Sequence, residues 1–374
     1  MGLKNGAVSN IINSMVEGSF KETLFNSIKN LSPDDKEVFN RIFKVNIVKG
    51  DLAVPPAMEP WVISQFGSVS AIENQIIVKA SNLITYEGSV FNDLRSKRPD
   101  MKISLGETFD YKCGSEMFCS PLNNTPEDVF GRIKGKYSLT ASNIAKIDGF
   151  HSVIIFKDHN PLDFNAEKIH DYFEVANSYF KKANEHNKSF VYPFFMWNCL
   201  WKAGASITHG HAQVTVAKDV TYSKIGLLRS RSLWYQEEYK SNYFNDVFNV
   251  HHKLGLGFMV EDVKVMAYLC PIKERGITIY AKSFDGSLSF AVNSILRTLV
   301  NKFGVRSFNL IAIPHPITPT YESWEYMPVI LEIVDRGSLE TRHSDFGSME
   351  LYAQSVVGSN PYDLVKELKS EIMR

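Results

Sequence analysis

The chain has 374 residues, 44% hydrophobic and 22% charged, an ordinary composition for a folded protein of two or three domain-sized units. Forty-one basic and 41 acidic residues cancel, so no global field recruits nucleic acid or an anionic membrane, and a phosphate-bearing ligand must be held locally. Four scattered cysteines (Cys113, Cys119, Cys199, Cys270) make no disulfide framework, and MGLKNGAVSN is no secretory signal; without an apolar run long enough to span a bilayer, the expected home is the reducing cytoplasm.

Ile11, Ile12, Met15, Val16, Phe20, Leu24, Phe25 and Ile28 recur at helical intervals. Ser32-Pro33-Asp34-Asp35 reads as the start of a second helix: a capping hydroxyl, a proline in the first turn, then acids facing the positive end of the dipole. Val38, Phe39, Ile42 and Phe43 are its expected buried stripe, and Pro55-Pro56 breaks the pattern. Residues 1–74 are therefore expected to be a helical accessory region, compatible with a lid, the arm of a homodimer or simple packing.

From Gln75 the pattern turns to strands, first Ile76–Val78 and later Val153–Ile155 within GFHSVIIFKDH. Asn165 is placed to cap a helix lined by Ile169, Phe173, Ala176, Phe180 and Ala183, and Val191–Trp197 is again strand-like. Beyond residue 220 the theme returns: strands at Val263–Tyr268 and Gly276–Tyr280, a helix over Ser289–Phe303, a strand at Phe308–Ile313. The reading is α+β with antiparallel sheets and a weak internal duplication, one half at 75–220 and the other at 221–374.

Near the end of the first half lies SITHGHAQVTV, residues 206–216. In a strand successive side chains face opposite sides, so His209, His211 and Gln213 are expected on one face, with Gly210, Ala212 and Val214 as a small backing layer. Upstream, Ala203-Gly204-Ala205-Ser206 is small enough for backbone N–H groups to meet a phosphate. A neutral imidazole is a good nucleophile near pH 7 when a hydrogen bond fixes its tautomer, and a glutamine two residues on is able to donate to a phosphoryl oxygen. The same histidines are also compatible with sheet packing or with a metal. No Walker-type glycine loop is present.

The wider run, Asn198-x5-Gly204-Ala205-Ser206-x2-His209-Gly210-His211-Ala212-Gln213, resembles the active-site segment of galactose-1-phosphate uridylyltransferase and its relatives in the histidine-triad superfamily. GFHSVIIFKDHNPLDFNAEKIHDYF resembles the strand and helix that precede it there, and Trp324, Phe346–Glu350 and Asn360–Leu364 loosely resemble the family's C-terminal half. The resemblance implies a tandem of two histidine-triad-like units, two antiparallel half-barrel sheets with flanking helices. It implies His211 as the nucleophile that becomes nucleotidyl-histidine, Gln213 holding phosphoryl oxygens, and Ser206, Gly204, Ala205 and Asn198 positioning phosphates. Arg132, leading with Lys134 and Lys136 into the strand before the base pocket, and Glu350 in the second half are further candidates for substrate contact.

Two departures stand out. Relatives bind zinc through C-x-x-C and two histidines; here Glu116 replaces the first cysteine, leaving Glu116, Cys119, His159 and His209, which admit either a tetrahedral zinc site or a shape kept by hydrogen bonds. The uridylyltransferases' histidine-rich stretch after a tryptophan is here Trp324-Glu325-Tyr326-Met327-Pro328-Val329-Ile330, without histidines. The expected partners are thus a nucleoside diphosphate sugar or related nucleotide, with a sugar 1-phosphate as acceptor or, in a phosphorylase, inorganic phosphate; no organic cofactor is expected. A non-catalytic nucleotide-binding protein on the same scaffold is the rival from another class. Arg336 and Arg342 are weaker candidates for a second phosphate; Lys224, Arg229 and Arg231 read as a solvated helix face.

Overall fold

A computed structural model of the chain describes residues 19–97, 116–341 and 344–372. Thirteen strands, taken in chain order, are β1 (Phe43–Lys49), β2 (Ile76–Asn82), β3 (Gly88–Phe91), β4 (Ser138–Ser142), β5 (Phe150–Phe156), β6 (Phe190–Asn198), β7 (His211–Lys218), β8 (Gly257–Val260), β9 (Val263–Ala267), β10 (Glu274–Ala281), β11 (Phe308–Ile313), β12 (Val329–Asp335) and β13 (Ser355–Val357). The longer helices are α1 (Phe20–Lys29), α2 (Pro33–Ile42), α3 (Ala166–His186), α4 (Ser223–Tyr239), α5 (Tyr243–Lys253), α6 (Gly286–Phe303) and α7 (Pro361–Ile372).

Nine strands form one sheet in the order β4-β5-β7-β6-β11-β12-β10-β9-β8. The first half contributes strand, strand, α3, strand, strand in the order β4-β5-β7-β6. The second contributes β9, β10, α6, β11 and β12 in the mirrored order, and the halves join edge to edge through the antiparallel pair β6–β11. The duplication is therefore structural, and the fold is α+β with two half-sheets fused across that seam.

One face of the large sheet packs on α3 and α6. Ala212, Val214 and Val216 of β7 lie in the same core as Phe173, Ala176 and Phe180 of α3 and Leu288, Val292 and Ile295 of α6. Asn165 caps α3 as its sequence requires, its side chain accepting from the Lys168 N–H at 2.9 Å. A net hydrophobic contribution of roughly 25 cal/mol per Å² of apolar surface makes this layer the main stabiliser of the site's backing wall.

The other face carries the small four-stranded sheet β1-β2-β3-β13 together with α1, α2, α4 and α5 at its far end. Ser32 caps α2, accepting from the Asp35 N–H at 3.1 Å, with Pro33 in the first turn. The helix stops at Ile42, and Phe43, expected in its buried stripe, instead opens β1. Phe43-Lys44-Val45-Asn46-Ile47 alternates at period two, and pairing with β2 outweighs the helical reading. Residues 19–74 thus hold a strand as well as helices. Phe20, Leu24 and Phe43 share a core with Phe244, Val247 and Leu254 of the second half. Residues 1–18, part of the first helical pattern, lie outside the described residues, as do Cys113 and Arg342.

Candidate active site

β7 begins at His211, so the strand carries His211, Gln213 and Thr215 on the face opposite the α3 core. His209 precedes it and turns away: the expectation that all three residues share one strand face holds for His211 and Gln213 only. The reason is Gly210. A Cβ there would lie 2.8 Å from the Phe156 ring and 3.0 Å from the Asp158 carbonyl oxygen, so the chain passes this point only as glycine. The Gly210 N–H donates to the His159 carbonyl at 2.8 Å, which draws the loop, and His209 with it, toward residue 159.

His211 is buried, 7% exposed. Its Nδ1–H donates to the His209 carbonyl at 2.8 Å, which leaves Nε2 with its lone pair free. Burial lowers its pKa, opposed in part by the hydrogen bond to the His209 carbonyl. A neutral imidazole with a fixed tautomer is the form a nucleophile requires. Phe118 packs edge-on against the ring at 5.2 Å between centroids.

Gln213 is held by a residue that the sequence reading passed over. The Ile147 N–H donates to Nδ1 of His151 at 3.2 Å, so the proton sits on Nε2, which donates to the Gln213 Oε1 at 2.8 Å. With its oxygen occupied, the Gln213 side chain presents its NH2 group to the open face. Burial lowers the His151 pKa and keeps the ring neutral. The only sequence signal was a polar residue at period two in the strand GFHSVIIF.

Asn198 closes β6 beside this pair. Its Oδ1 accepts from Asn309 Nδ2 at 2.7 Å, and Asn309 also donates to the Ala203 carbonyl at 2.9 Å. Arg336 donates to the Asn309 Oδ1 at 2.6 Å and forms a two-pronged pair with Asp345. Lys273 bonds the Asp345 carbonyl and lies 3.8 Å from Glu350, and Glu350 also accepts from the Gly347 N–H. Hydrogen bonds through Asn309, Arg336, Asp345 and Lys273, closed by the Lys273–Glu350 ion pair, therefore link Asn198 to Glu350 across the seam. Asn309 had no sequence signal, whereas Arg336 was a weak candidate. Gly204 adopts φ +95° with open space on its side-chain face, and Ser206 is exposed next to it.

Arg132 sits elsewhere in its bonding. Its side chain is 7% exposed and donates to Thr125 Oγ1, Thr140 O, Pro121 O and Thr125 O. The guanidinium thus ties the Pro121–Thr125 segment to β4, a use that sequence alone does not distinguish from phosphate binding. Lys136 pairs with Glu167 at 2.6 Å.

The ligand atoms of Glu116, Cys119, His159 and His209 all lie within 4.8 Å of one another. Cys119 Sγ is 3.5 Å from His159 Nδ1 and 3.7 Å from His209 Nδ1, and the two Nδ1 atoms are 3.1 Å apart. A tetrahedral zinc with Zn–N about 2.0 Å and Zn–S about 2.3 Å spaces such donors about 3.3 to 3.5 Å apart. His209 Nε2–H is spent on the Phe156 carbonyl at 2.8 Å, which aims the bare Nδ1 inward as a ligand needs. The donor set fits. The cluster also carries Phe118, the ring that walls His211.

Two half-sheets of one strand order, fused edge to edge, are the fold expected of a tandem of histidine-triad-like units. No family model and no curated protein matches the sequence, but solved structures share the fold. An ADP-glucose phosphorylase from Arabidopsis thaliana superimposes with TM-score 0.59 at 17% identity, over 76% of this chain and 96% of that one. A uridylyltransferase gives 0.56 at 14% identity over 80% and 98%. A galactose-1-phosphate uridylyltransferase-like protein from the same plant gives 0.55 at 17% over 70% and 93%. No helix among the described residues is long and apolar enough to cross a membrane.

Proposed function

We propose that the chain is a nucleotidyltransferase that works by double displacement through His211. The observation that carries this reading is the tautomer: Nδ1 is committed to the His209 carbonyl at 2.8 Å, and Nε2 is left as a nucleophile beside an amide already turned donor-outward. His211 Nε2 attacks the α-phosphorus of a nucleoside diphosphate sugar or related nucleotide; the N–P bond forms as the bond to the leaving sugar phosphate breaks. An acceptor phosphate oxygen then attacks the same phosphorus and releases the imidazole. Gln213 Nε2–H2, with the N–H and hydroxyl of Ser206, steadies the nonbridging oxygens in both steps, the Gly204 and Ala205 N–H groups being given to the Trp201 and Leu200 carbonyls. Asn198, joined to Glu350 through Asn309, Arg336, Asp345 and Lys273, faces the partner phosphate, and Glu350 accepts from hydroxyls of the sugar.

Transfer to inorganic phosphate is the favoured variant. β12, which occupies in the second half the place of β7 in the first, reads VILEIVD and has no histidine, and one neighbour of the same fold is named an ADP-glucose phosphorylase. Zinc is proposed for Glu116, Cys119, His159 and His209. Bound there it would act structurally, fixing the segment that carries Phe118, while the transfer chemistry stays with His211 and Gln213. Intact-protein mass spectrometry after brief mixing with ADP-, GDP- and UDP-sugars, without acid, tests the reading. A gain of one nucleoside monophosphate that His211→Ala abolishes is the expected result. Binding of a donor with no gain in mass on any of them overturns it.

A further inference from the structure

A second site lies on the open face of the sheet. Register partners across the strands run Gln213, Met196, Ile311, Glu332, all on that face. With strands about 4.8 Å apart, Glu332 stands roughly 14 Å from Gln213. Between them opens a cavity of about 670 Å³. Its floor is Phe194, Met196, Ile311 and Ile313, and Ile225 and Leu228 of α4 cover it. Ile147 and Leu227 stand at the rim, 64% and 51% exposed.

The far wall is acidic. Glu332 comes from the middle of β12, and Glu87 comes from the hairpin before β3. Glu87 accepts from Thr85 Oγ1 and Tyr268 OH, both at 2.8 Å. Among the described residues Glu332 has neither a hydrogen bond nor an ion pair, and the one cation in the lining, Lys224, is exposed on α4. Burial, then the neighbouring Glu87, push the Glu332 pKa up to about 7. A carboxylate kept in an apolar wall without a partner is costly, and the cost is removed when a bound cation or N–H donor pairs with it.

Sugars do not suit this chemistry. A hexose brings hydroxyls on every edge, and an apolar floor and lid leave most of them unsatisfied. An anion meets two carboxylates. What complements the walls is an apolar, preferably flat, body that ends in a positively charged nitrogen. We propose that the cavity between Gln213 and Glu332 is a binding site for an arylalkylamine, its ring between the sheet and α4 and its ammonium on Glu332 and Glu87. The site is independent of covalent chemistry at His211, although a ligand of sufficient length reaches from one to the other.

Tryptamine is the probe, with indole-3-propionate as its anionic counterpart, titrated calorimetrically into the full chain at pH 7.5. The expected result is saturable binding of tryptamine, at least tenfold weaker binding of indole-3-propionate, and a loss of tenfold or more in Glu332→Gln. Ile311→Trp fills the floor and is expected to abolish binding; Glu332→Gln, which breaks no bond in the fold, keeps the test decisive if that variant does not fold. Absence of saturable tryptamine binding, equal binding of both probes, or binding unchanged in Glu332→Gln overturns the proposal.

Discussion

Replacing His151 by leucine separates two roles that are entangled in the wild-type site. His151 does not face the reacting phosphorus in this reading; it fixes the amide of Gln213 by donating to its oxygen at 2.8 Å. Removing Gln213 itself deletes a donor aimed at developing charge, which costs about 100- to 1,000-fold, or roughly 3 to 4 kcal/mol, in the chemical step. Removing His151 leaves the amide in place but free to turn its oxygen toward the phosphate. The penalty is then bounded by one neutral hydrogen bond, about 1 kcal/mol, or three- to tenfold. His151→Gln restores an N–H donor near Oε1 and is expected to recover most of the loss. The assay is the rate of nucleotidyl adduct formation on His211, followed by quenched-flow mass spectrometry with folding checked by circular dichroism. A His151→Leu rate as low as that of Gln213→Ala would refute the positioning role and place His151 in direct contact with the reacting groups. A Gln213→Ala rate within threefold of wild type would remove the donor assignment altogether.

Two further outcomes are expected. Cys119→Ser should lower zinc content by metal analysis to well under one equivalent and slow adduct formation, because Phe118 then loses its anchor against His211; equal metal content in both proteins would count against the four-ligand assignment. Acid should weaken the fold through His251, which donates from Nδ1 to the Val247 carbonyl at 2.7 Å and accepts the Leu269 N–H on Nε2 at 3.0 Å, an arrangement open only to the neutral ring. Burial lowers its pKa from 6.5 to about 4, so the stability it adds is full above pH 6.5 and is lost as pH falls toward 4. By pH 5 that loss is about 2 kcal/mol. Urea midpoints at pH 7.5 and 5 should show a smaller acid loss in His251→Gln than in wild type, and parallel losses would refute the assignment.

Sequence alone determined the local elements with strong period or capping chemistry. Asn165 and Ser32 announce their helices because a cap is a contact between neighbours a few residues apart, and β11 was legible from its apolar run. The spacing from Asn198 to Gln213 likewise put His211, the proposed nucleophile, and Gln213 on one strand face, since both sit on β7 with period two. Tertiary structure decided what depends on residues far apart in the chain. Gly210 sends His209 to Cys119 and His159 instead of along the strand, a steric fact set by Phe156 and Asp158 more than fifty residues earlier. His151 becomes the orienting partner of Gln213 only because β5 pairs with β7, and Asn309 reaches Asn198 only because β6 pairs with β11. Arg132 looks the same in sequence whether its guanidinium holds a phosphate or four oxygens of its own chain, and only folding makes that choice. The acidic cavity is the extreme case: Glu87 and Glu332 are 245 residues apart, and no periodicity connects two side chains that meet through sheet stacking rather than along one element.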